Sequence, residues 1–357
     1  MKNSQTVQNV IGIDLGDKKH AVCVVDKHGT ILKEYSIRNQ ANSLSKLARA
    51  YPQALIAMEV GTHSPWISRL FEKEGLSVLV ANARKLRAIY TNERKCDELD
   101  ARMLAKIARL DPELLHPIKH GSEQAQRDQL TIKMRESLVR SRVAIVNAIR
   151  GTLKSLGVRL PSPSTCSFAG SVREFLADQP DLLGVVEPSL QALDELSRQI
   201  KGYEKTISQN SRIDYPETEL LQSIPGVGPI TALSFVLAVG DPERFQNPRD
   251  IGAWLGLVPR RDQSGHTDKQ LPISKAGNRH LRSLLVQCAH YMLGAFGPDS
   301  DLRRYGLKLA ARGGKAAKKK AVVAVARKLA VVMFTLWRTG HAYIPLRYPK
   351  RHQELAS

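Results

Sequence analysis

Four carboxylates stand where their types and spacing allow metal-assisted chemistry. Asp14 closes a short apolar run, Val10-Ile11-Gly12-Ile13, and Glu59 closes another, Ala54–Met58. Asp97 and Asp100 lie three residues apart in Cys96-Asp97-Glu98-Leu99-Asp100, so on a helix they share a face. Short apolar runs bounded by polar residues predict buried strands. Polar groups at the ends of neighbouring strands in a twisted sheet can converge on one site. Hard oxygen ligands of this kind suit Mg²⁺ (or Mn²⁺), which keeps some waters and takes phosphate oxygens as well. A two-metal site can activate one oxygen and stabilise the leaving one in phosphodiester chemistry. Taken singly, each residue has a plainer reading. An Asp at a strand end commonly forms a turn, and an Asp-x-x-Asp pair is usually a solvated helix face. The order strand-Asp, strand-Glu, helix Asp-x-x-Asp is much more specific than its parts.

The elements that must position these groups follow from the pattern around them. Ala21–Val25 predicts a second strand, Asp26-Lys27-His28-Gly29 a hairpin-type turn, and Thr30–Ser36 a third strand. Ser43–Ala50 predicts a helix, Ala54–Met58 a strand, His63–Lys73 a helix, Leu76–Val80 a strand and Lys95–Leu110 a helix. Three strands followed by alternating helices and strands predict a mixed sheet covered by helices over residues 1–120. Residues 121–212 carry no strand signal. Leu138, Ile145, Ile149, Leu153 and Leu156, then Leu193, Leu196, Ile200, Tyr203 and Ile207, recur at helical and heptad spacing. Two long helices broken at Pro161-Ser162-Pro163-Ser164 form a coiled-coil connector, either a dimerisation arm or a helical hairpin packed on its own domain. Residues 213–345 are mainly helical, with a Gly/Pro turn at Ile224–Pro229, a polar basic loop at Pro259–Ile273, and helices at Arg279–Leu293 and Lys318–Arg338. The segment after Ala342 reads as loose, with 346–357 as the tail.

The bulk composition sets limits. A chain of 357 residues favours more than one domain, and a hydrophobic content of 42% supplies buried cores. The formal net charge of +20 points to a polyanionic partner, most commonly nucleic acid. Cys23, Cys96, Cys166 and Cys288 are far apart, which argues against a zinc site or a disulfide framework and suits a reducing cytoplasm. Met1–Asn9 has no signal-peptide core. The longest apolar stretch, Ala321–Trp337, is interrupted by Arg327 and Lys328 and reads as a buried helix rather than a membrane span.

The strings Ile11-Gly12-Ile13-Asp14, Met58-Glu59-Val60-Gly61-Thr62 and Cys96-Asp97-Glu98-Leu99-Asp100-Ala101-Arg102-Met103-Leu104-Ala105 resemble the DEDD insertion-sequence transposases of the "one-ten" family. The N-terminal domain of that family looks like the RuvC junction resolvase, an RNase-H-like α/β fold. The resemblance implies that Asp14, Glu59, Asp97 and Asp100 are catalytic and hold Mg²⁺. It continues through Ser223-Ile224-Pro225-Gly226-Val227-Gly228-Pro229, which also suits a helix-hairpin-helix whose amides approach a phosphate. It extends to Trp254–Gly265 and Ile273–Arg282, which look like the family's C-terminal transposase domain. There the family's serine nucleophile maps onto Ser264. By its own surroundings Ser264 is an ordinary Ser-Gly turn signal, and Ser274 is the competitor. The implied chemistry is attack on a DNA phosphodiester through a covalent phosphoserine, which conserves bond energy and splits one hard step into two. A serine hydroxyl needs activation and no Ser-His-Asp order is visible. The expectation is that the metal-bearing carboxylates approach Ser264 in the assembled enzyme.

Arg260, Arg261, Lys269, Lys275, Arg279 and Arg282 surround that serine in sequence and are candidates to neutralise phosphates. Lys318, Lys319 and Lys320 belong to a denser basic block that suits the nucleic-acid backbone. No base-reading motif is evident, and aromatics make up only 5% of the chain. The resemblance implies a guide RNA that pairs with double-stranded DNA at the element ends and the target, and a homo-oligomer, dimer or tetramer, that joins two duplexes. It also implies a bacterial or archaeal, nucleoid-associated enzyme with no membrane partner. Three rivals remain at this point: a junction resolvase that uses water, a non-catalytic nucleic-acid-binding protein, and an Hsp70-like ATPase suggested by Gly12-Ile13-Asp14-Leu15-Gly16. The last needs a second phosphate loop and an adenosine-binding glycine pair, and neither is found in the expected place.

Overall fold

The computed structural model describes residues 8–82, 96–161, 164–264, 267–314 and 316–347; for Asp262, Ser264 and 267–270 it describes the backbone alone. The chain divides into two compact units, one ending at His120 and the other beginning at Gly121.

The first unit is a five-stranded sheet in the order β3-β2-β1-β4-β5. Its elements run β1 (Asn9–Asp14), β2 (Lys19–Asp26), β3 (Ile31–Arg38), α1 (Ala41–Ala50), β4 (Leu55–Glu59), α2 (Ser64–Lys73), β5 (Ser77–Ala81) and α3 (Asp97–Leu110). The start expected at Lys95 lies outside the described residues. The β1-β2-β3 meander is antiparallel, whereas β1, β4 and β5 are parallel. The turn after β2 forms because Asp26 Oδ1 accepts the amides of His28 and Thr30, both at 2.8 Å. The alternation of side chains divides the core into two layers. Ile11, Ile13, Val22, Val24, Ile56 and Met58 face Leu44 and Leu47 of α1 and Ile67 and Phe71 of α2. Val10, Ala21, Cys23, Val25 and Ala57 face Ala101, Leu104, Ala105 and Ala108 of α3. Edge strand β3 is mostly exposed, as its charged sequence requires.

The second unit begins with α4 (Glu123–Ser155), α5 (Phe168–Phe175) and α6 (Pro180–Ile213). Asp128 meets Asn210, Arg135 meets Glu204 and Arg142 meets Ser197, so the two long helices run antiparallel. Phe168 and Val172 of α5 close the far end against Leu153 and Leu190. Ile132 and Ile207 at the near end pack on Leu233 and Leu237 of α8, so the helical connector and the C-terminal region share one unit. There follow α7 (Glu217–Gln222), α8 (Pro229–Val239), α9 (Asp250–Trp254), β6 (Pro259–Ser264), β7 (Thr267–Ile273), α10 (Arg279–Leu293), α11 (Asp301–Ala310) and α12 (Ala317–Thr339). One face of α12 is buried, with Val325, Leu329, Ala330, Met333 and Phe334 packed against Phe235, Leu281 and Leu285.

Two expectations are corrected. Pro259–Ile273 is an antiparallel hairpin, with Asp262 paired to Lys269 and Ser264 to Thr267, rather than a loop. Its strands are polar along most of their length, so they carry no alternating apolar signal. The segment beyond Ala342 is tied down as far as it is described: Asp301 N donates to Pro345 O at 2.8 Å, and Arg347 N donates to Asp301 Oδ2 at 2.9 Å. The rest of the expected tail, 348–357, lies outside the described residues.

Candidate active site

The sheet register places two of the four carboxylates. Gly12 pairs with Ala57 and Ile13 with Met58 in the parallel β1–β4 ladder. Asp14 and Glu59 are the next residues on each strand, so they are neighbours across about 4.8 Å of sheet. Gly12 and Ala57 lie on the α3 layer, and the period of two puts Asp14 and Glu59 on that layer as well. Both are half-buried.

The other two carboxylates come from the first turn of α3. A Cβ on Gly12 would lie 2.0 Å from Ala101 O and 2.5 Å from Ala105 N, so α3 crosses β1 at backbone contact. Asp97 stands one turn before Ala101 on the same stripe, and Asp100 one turn before buried Leu104. Going along β1 from Val10 to Asp14 therefore corresponds to going back along α3 towards Asp97. Asp97 is exposed and Asp100 half-buried. Acidic residues in a first turn also complement the helix dipole, so these two stabilise α3 whatever else they do.

All four groups thus belong to one end and one face of the sheet. Among the described residues, however, no three of His, Cys, Asp or Glu stand close enough together to hold a single ion. Like charges repel, so ionised carboxylates close on one another with a cation or a shared proton between them. The donor set, all carboxylate oxygen at a partly open sheet end, fits a hard divalent ion and fits no soft one.

Supports around these residues were not legible in the sequence. Arg102 forms a bidentate pair with Glu34 (2.7 and 2.8 Å) that ties α3 to β3, and it holds the Glu34 carboxyl below the usual carboxylate range. Beneath it, burial pushes the Cys23 thiol up to about 11. The turn after Glu59 is locked by Ser64. Its hydroxyl donates to Gly61 O at 2.9 Å, accepts Gly61 N at 3.0 Å and meets His120 Nε2 at 3.0 Å. Because that hydroxyl spends its proton on Gly61, His120 Nε2 is the donor. Burial first, then Arg69, hold His120 below the usual imidazole range and keep it neutral. Trp66 Nε1 donates to His63 Nδ1 at 3.3 Å, which leaves His63 Nε2 to donate to Asp17 at 3.1 Å. The Arg102–Glu34, Ser64–His120 and His63–Asp17 contacts each span dozens of residues and have no local signature.

Ser264 ends β6, and its backbone position at the far end of the hairpin is described; its side chain, like that of Lys269, lies outside the described residues. Ser274, the competitor, sits at the hairpin root, where its amide donates to Val258 O at 2.9 Å and its hydroxyl accepts Ala276 N at 3.4 Å. Arg260, Arg261, Lys275 and Arg279 are exposed around the hairpin and its root. Arg282 is not: it is half-buried, and its Nη1 donates to Leu255 O at 2.9 Å and Ala276 O at 2.8 Å. Lys318, Lys319 and Lys320 are exposed on the first turn of α12. Gly228 is exposed and opens α8 with no side-chain cap. No helix among the described residues is long and apolar enough to cross a membrane.

Comparison with known proteins gives this geometry a family. Residues 11–157 match the model of the DEDD transposases, and residues 218–305 match that of the transposase IS116/IS110/IS902 family. The transposase for insertion sequence element IS1328 of Yersinia enterocolitica is 30% identical over 78% of this chain and 82% of its own length. The transposase for insertion sequence element IS1111A of Coxiella burnetii is 28% identical over 94% of this chain and 91% of its own. A pilin gene-inverting protein of Moraxella bovis is 30% identical over 35% of this chain and 38% of its own, which extends the kinship to DNA inversion. The DEDD match implies a requirement for a divalent metal ion. With two family models spanning both units and relatives aligned along most of its length, the chain belongs to the IS116/IS110/IS902 family of insertion-sequence transposases, enzymes that act on DNA.

Proposed function

We propose that this transposase cleaves and exchanges DNA strands through a covalent phosphoserine at Ser264, with Asp14, Glu59, Asp97 and Asp100 holding Mg²⁺ or Mn²⁺ in an RNase-H-like domain. The sheet order β3-β2-β1-β4-β5 with α3 on one face supports the fold reading. The observation that carries the site is the parallel register Gly12–Ala57 and Ile13–Met58, which makes Asp14 and Glu59 neighbours on the layer that α3 opens with two more carboxylates. A bound divalent ion would neutralise charge on a phosphodiester and lower the pKa of an oxygen nucleophile.

The chain's own groups divide the remaining work. Ser264 Oγ attacks phosphorus, the bond from phosphorus to the 3′-oxygen breaks, and the serine proton is matched by the proton that the 3′-oxygen gains. The phosphodiester energy stays in the O–P link, so resealing by another 3′-hydroxyl needs no nucleotide. Arg260, Arg261, Lys269, Lys275 and Arg279 pair with phosphates near the hairpin, and Lys318, Lys319 and Lys320 with backbone further away. Double-stranded element ends and target are the substrates. A guide RNA supplies sequence choice by base pairing, which suits a surface rich in phosphate binders and poor in base readers.

Exchange between two duplexes calls for a dimer or tetramer. On α4, Leu130, Met134, Ser137, Ser141, Ala144, Ala148 and Gly151 repeat at alternating steps of four and three, and all are exposed and uncharged, which supports pairing of the arms.

The test is incubation of the full chain with element-end DNA, the element's RNA and Mg²⁺, read as a protease-sensitive DNA shift. Asp14→Ala, Ser264→Ala and chelation of the metal should each abolish it. A covalent adduct formed by Ser264→Ala refutes the nucleophile, and metal-independent cleavage refutes the carboxylate site. Cleavage by water without any adduct would favour the resolvase reading instead.

A further inference from the structure

The hairpin that carries Ser264 leaves the domain through a narrow root. On the incoming side α9 gives way to Leu255-Gly256-Leu257-Val258, and on the outgoing side β7 gives way to Ser274-Lys275-Ala276-Gly277 before α10. The two sides cross at backbone contact. Ser274 N donates to Val258 O at 2.9 Å, and Lys275 N donates to Gly256 O at 3.1 Å. A Cβ on Gly256 would lie 2.3 Å from both Ala276 N and Ala276 O, and one on Gly277 would lie 2.1 Å from Trp254 O. Gly256 and Gly277 have φ of 70° and 78°, and Lys275 adopts φ of 54°, so the crossing also uses left-handed backbone.

Arg282, one turn into α10, closes this crossing. Its Nη1 reaches Leu255 O on the incoming side and Ala276 O on the outgoing side, at 2.9 and 2.8 Å. Arginine offers donors in a fixed planar group, so gripping one carbonyl from each side of the root fixes their relative position. Asn278 caps the same helix by accepting Leu281 N at 3.1 Å, which holds the first turn of α10 in place beneath the root.

We infer that Arg282 is a positioning residue for strand cleavage: it sets the direction in which the β6–β7 hairpin, and Ser264 with it, leaves the domain. This rests on the reading of Ser264 as nucleophile. A two-stranded ribbon is marginal by itself, so its direction is set at its root. From Leu257 to Ser264 the strand spans roughly 20 Å, and a tilt of about 5° at the root moves Ser264 by about 2 Å. A misplacement of about 1 Å in a reacting group costs on the order of 100-fold in rate.

The experiment compares wild type, Arg282→Ala, Arg282→Lys and Ser264→Ala as full chains. It measures the rate of covalent adduct formation on element-end DNA with Mg²⁺ and RNA, the Kd for the same DNA, and hydrogen exchange at the amides of Ser274 and Lys275. Arg282→Ala should slow adduct formation about 100-fold and leave Kd within about twofold. Root exchange should quicken at least about tenfold, with α12 amides unchanged. Free guanidinium ion should restore part of the lost rate. Arg282→Lys, which still brings donors to the root, should fall in between, and it carries the test if Arg282→Ala does not fold.

A weakened Kd with a shallower salt dependence and unchanged root exchange would make Arg282 a phosphate contact and overturn the inference, as would an unaltered adduct rate. If Ser264→Ala still forms the adduct, the nucleophile assignment fails, while the exchange data still decide whether Arg282 holds the root.

Discussion

Gly12→Ala is the sharpest single perturbation of the carboxylate site. The added Cβ would sit 2.0 Å from Ala101 O and 2.5 Å from Ala105 N, both backbone atoms that no rotamer change can move. An ordinary contact begins at 3.4 Å, so α3 must lift from β1 by roughly 1.4 Å at the crossing. Two consequences follow. Overpacking of this kind costs about 1–3 kcal/mol, which lowers the Tm of a domain of this size by roughly 4–12 °C. The lift also carries Asp97 and Asp100, one turn away, off Asp14 and Glu59, and about 1 Å of misplacement costs on the order of 100-fold in rate. Activity should therefore fall further than stability: at a temperature where the variant is folded, metal-dependent strand cleavage should drop by about 100-fold or more. The control is Gly202→Ala on α6, where nothing lies within 4 Å of the added methyl; it should leave cleavage alone and stabilise by about 0.5–1 kcal/mol. Thermal denaturation and a cleavage time course decide the matter. A Gly12→Ala protein with wild-type Tm and cleavage within about twofold would refute the close-contact argument.

Other expectations follow from contacts elsewhere. Tyr215 OH donates to the buried Asp128 carboxylate at 2.8 Å, so Tyr215→Phe should cost about 1–3 kcal/mol by denaturant titration, and a loss below about 0.5 would show that another donor replaces it. His20 is fully buried on the α1–α2 layer, and burial pushes its pKa down, so the unfolded chain takes up a proton at a pH where the native state stays neutral. That contribution to stability is complete above the ordinary imidazole range near pH 6.5 and is lost as pH falls below it, at up to about 1.4 kcal/mol per pH unit. His20→Leu should flatten the acid side of a Tm-against-pH curve, and an unchanged slope would count against it. Replacing Lys318, Lys319 and Lys320 together by Ala should weaken DNA binding at every sequence and reduce the log–log salt slope by about 1–3, with Tm unchanged; an unaltered slope would remove them from the interface.

How much of this was legible from residues alone depends on whether the signal is local. Strand β1 ending on Asp14, β4 ending on Glu59 and the α3 first turn follow from apolar runs and helical spacing, which are properties of a few consecutive residues. The β6–β7 hairpin was hidden because strands polar along most of their length show no apolar alternation, and only its ladder pairing reveals it. The reason for Gly12 was hidden too, since a glycine in a strand signals close approach without naming what approaches. Ser64 and His120 are 56 residues apart, and nothing in either neighbourhood announces that they meet behind Glu59.

Arginine and lysine divide the charge of this chain in a way that composition conceals. A net charge of +20 suggests a broad basic face, yet several arginines are engaged by the chain's own acceptors. Arg282 holds Leu255 and Ala276, Arg303 holds the carbonyls of Met292 and Gly294, and Arg338 holds those of Phe245 and Gln246. Arg102, Arg173 and Arg304 are occupied by carboxylates. Lys275 and Lys318–Lys320 stay exposed. The division follows from chemistry: a planar fork matches paired carbonyls and gives up less entropy per bond, whereas a hydrated ammonium on a flexible stem gains little from burial. Lysines and the arginines left on the surface, Arg260, Arg261 and Arg279 around the hairpin among them, share the field that draws DNA in. Half-buried Arg282 and Arg303 hold backbone in place. A nucleic-acid enzyme read by charge alone will have its phosphate contacts overcounted among its arginines, and the excess will be found at turns and strand roots where two carbonyls need one partner.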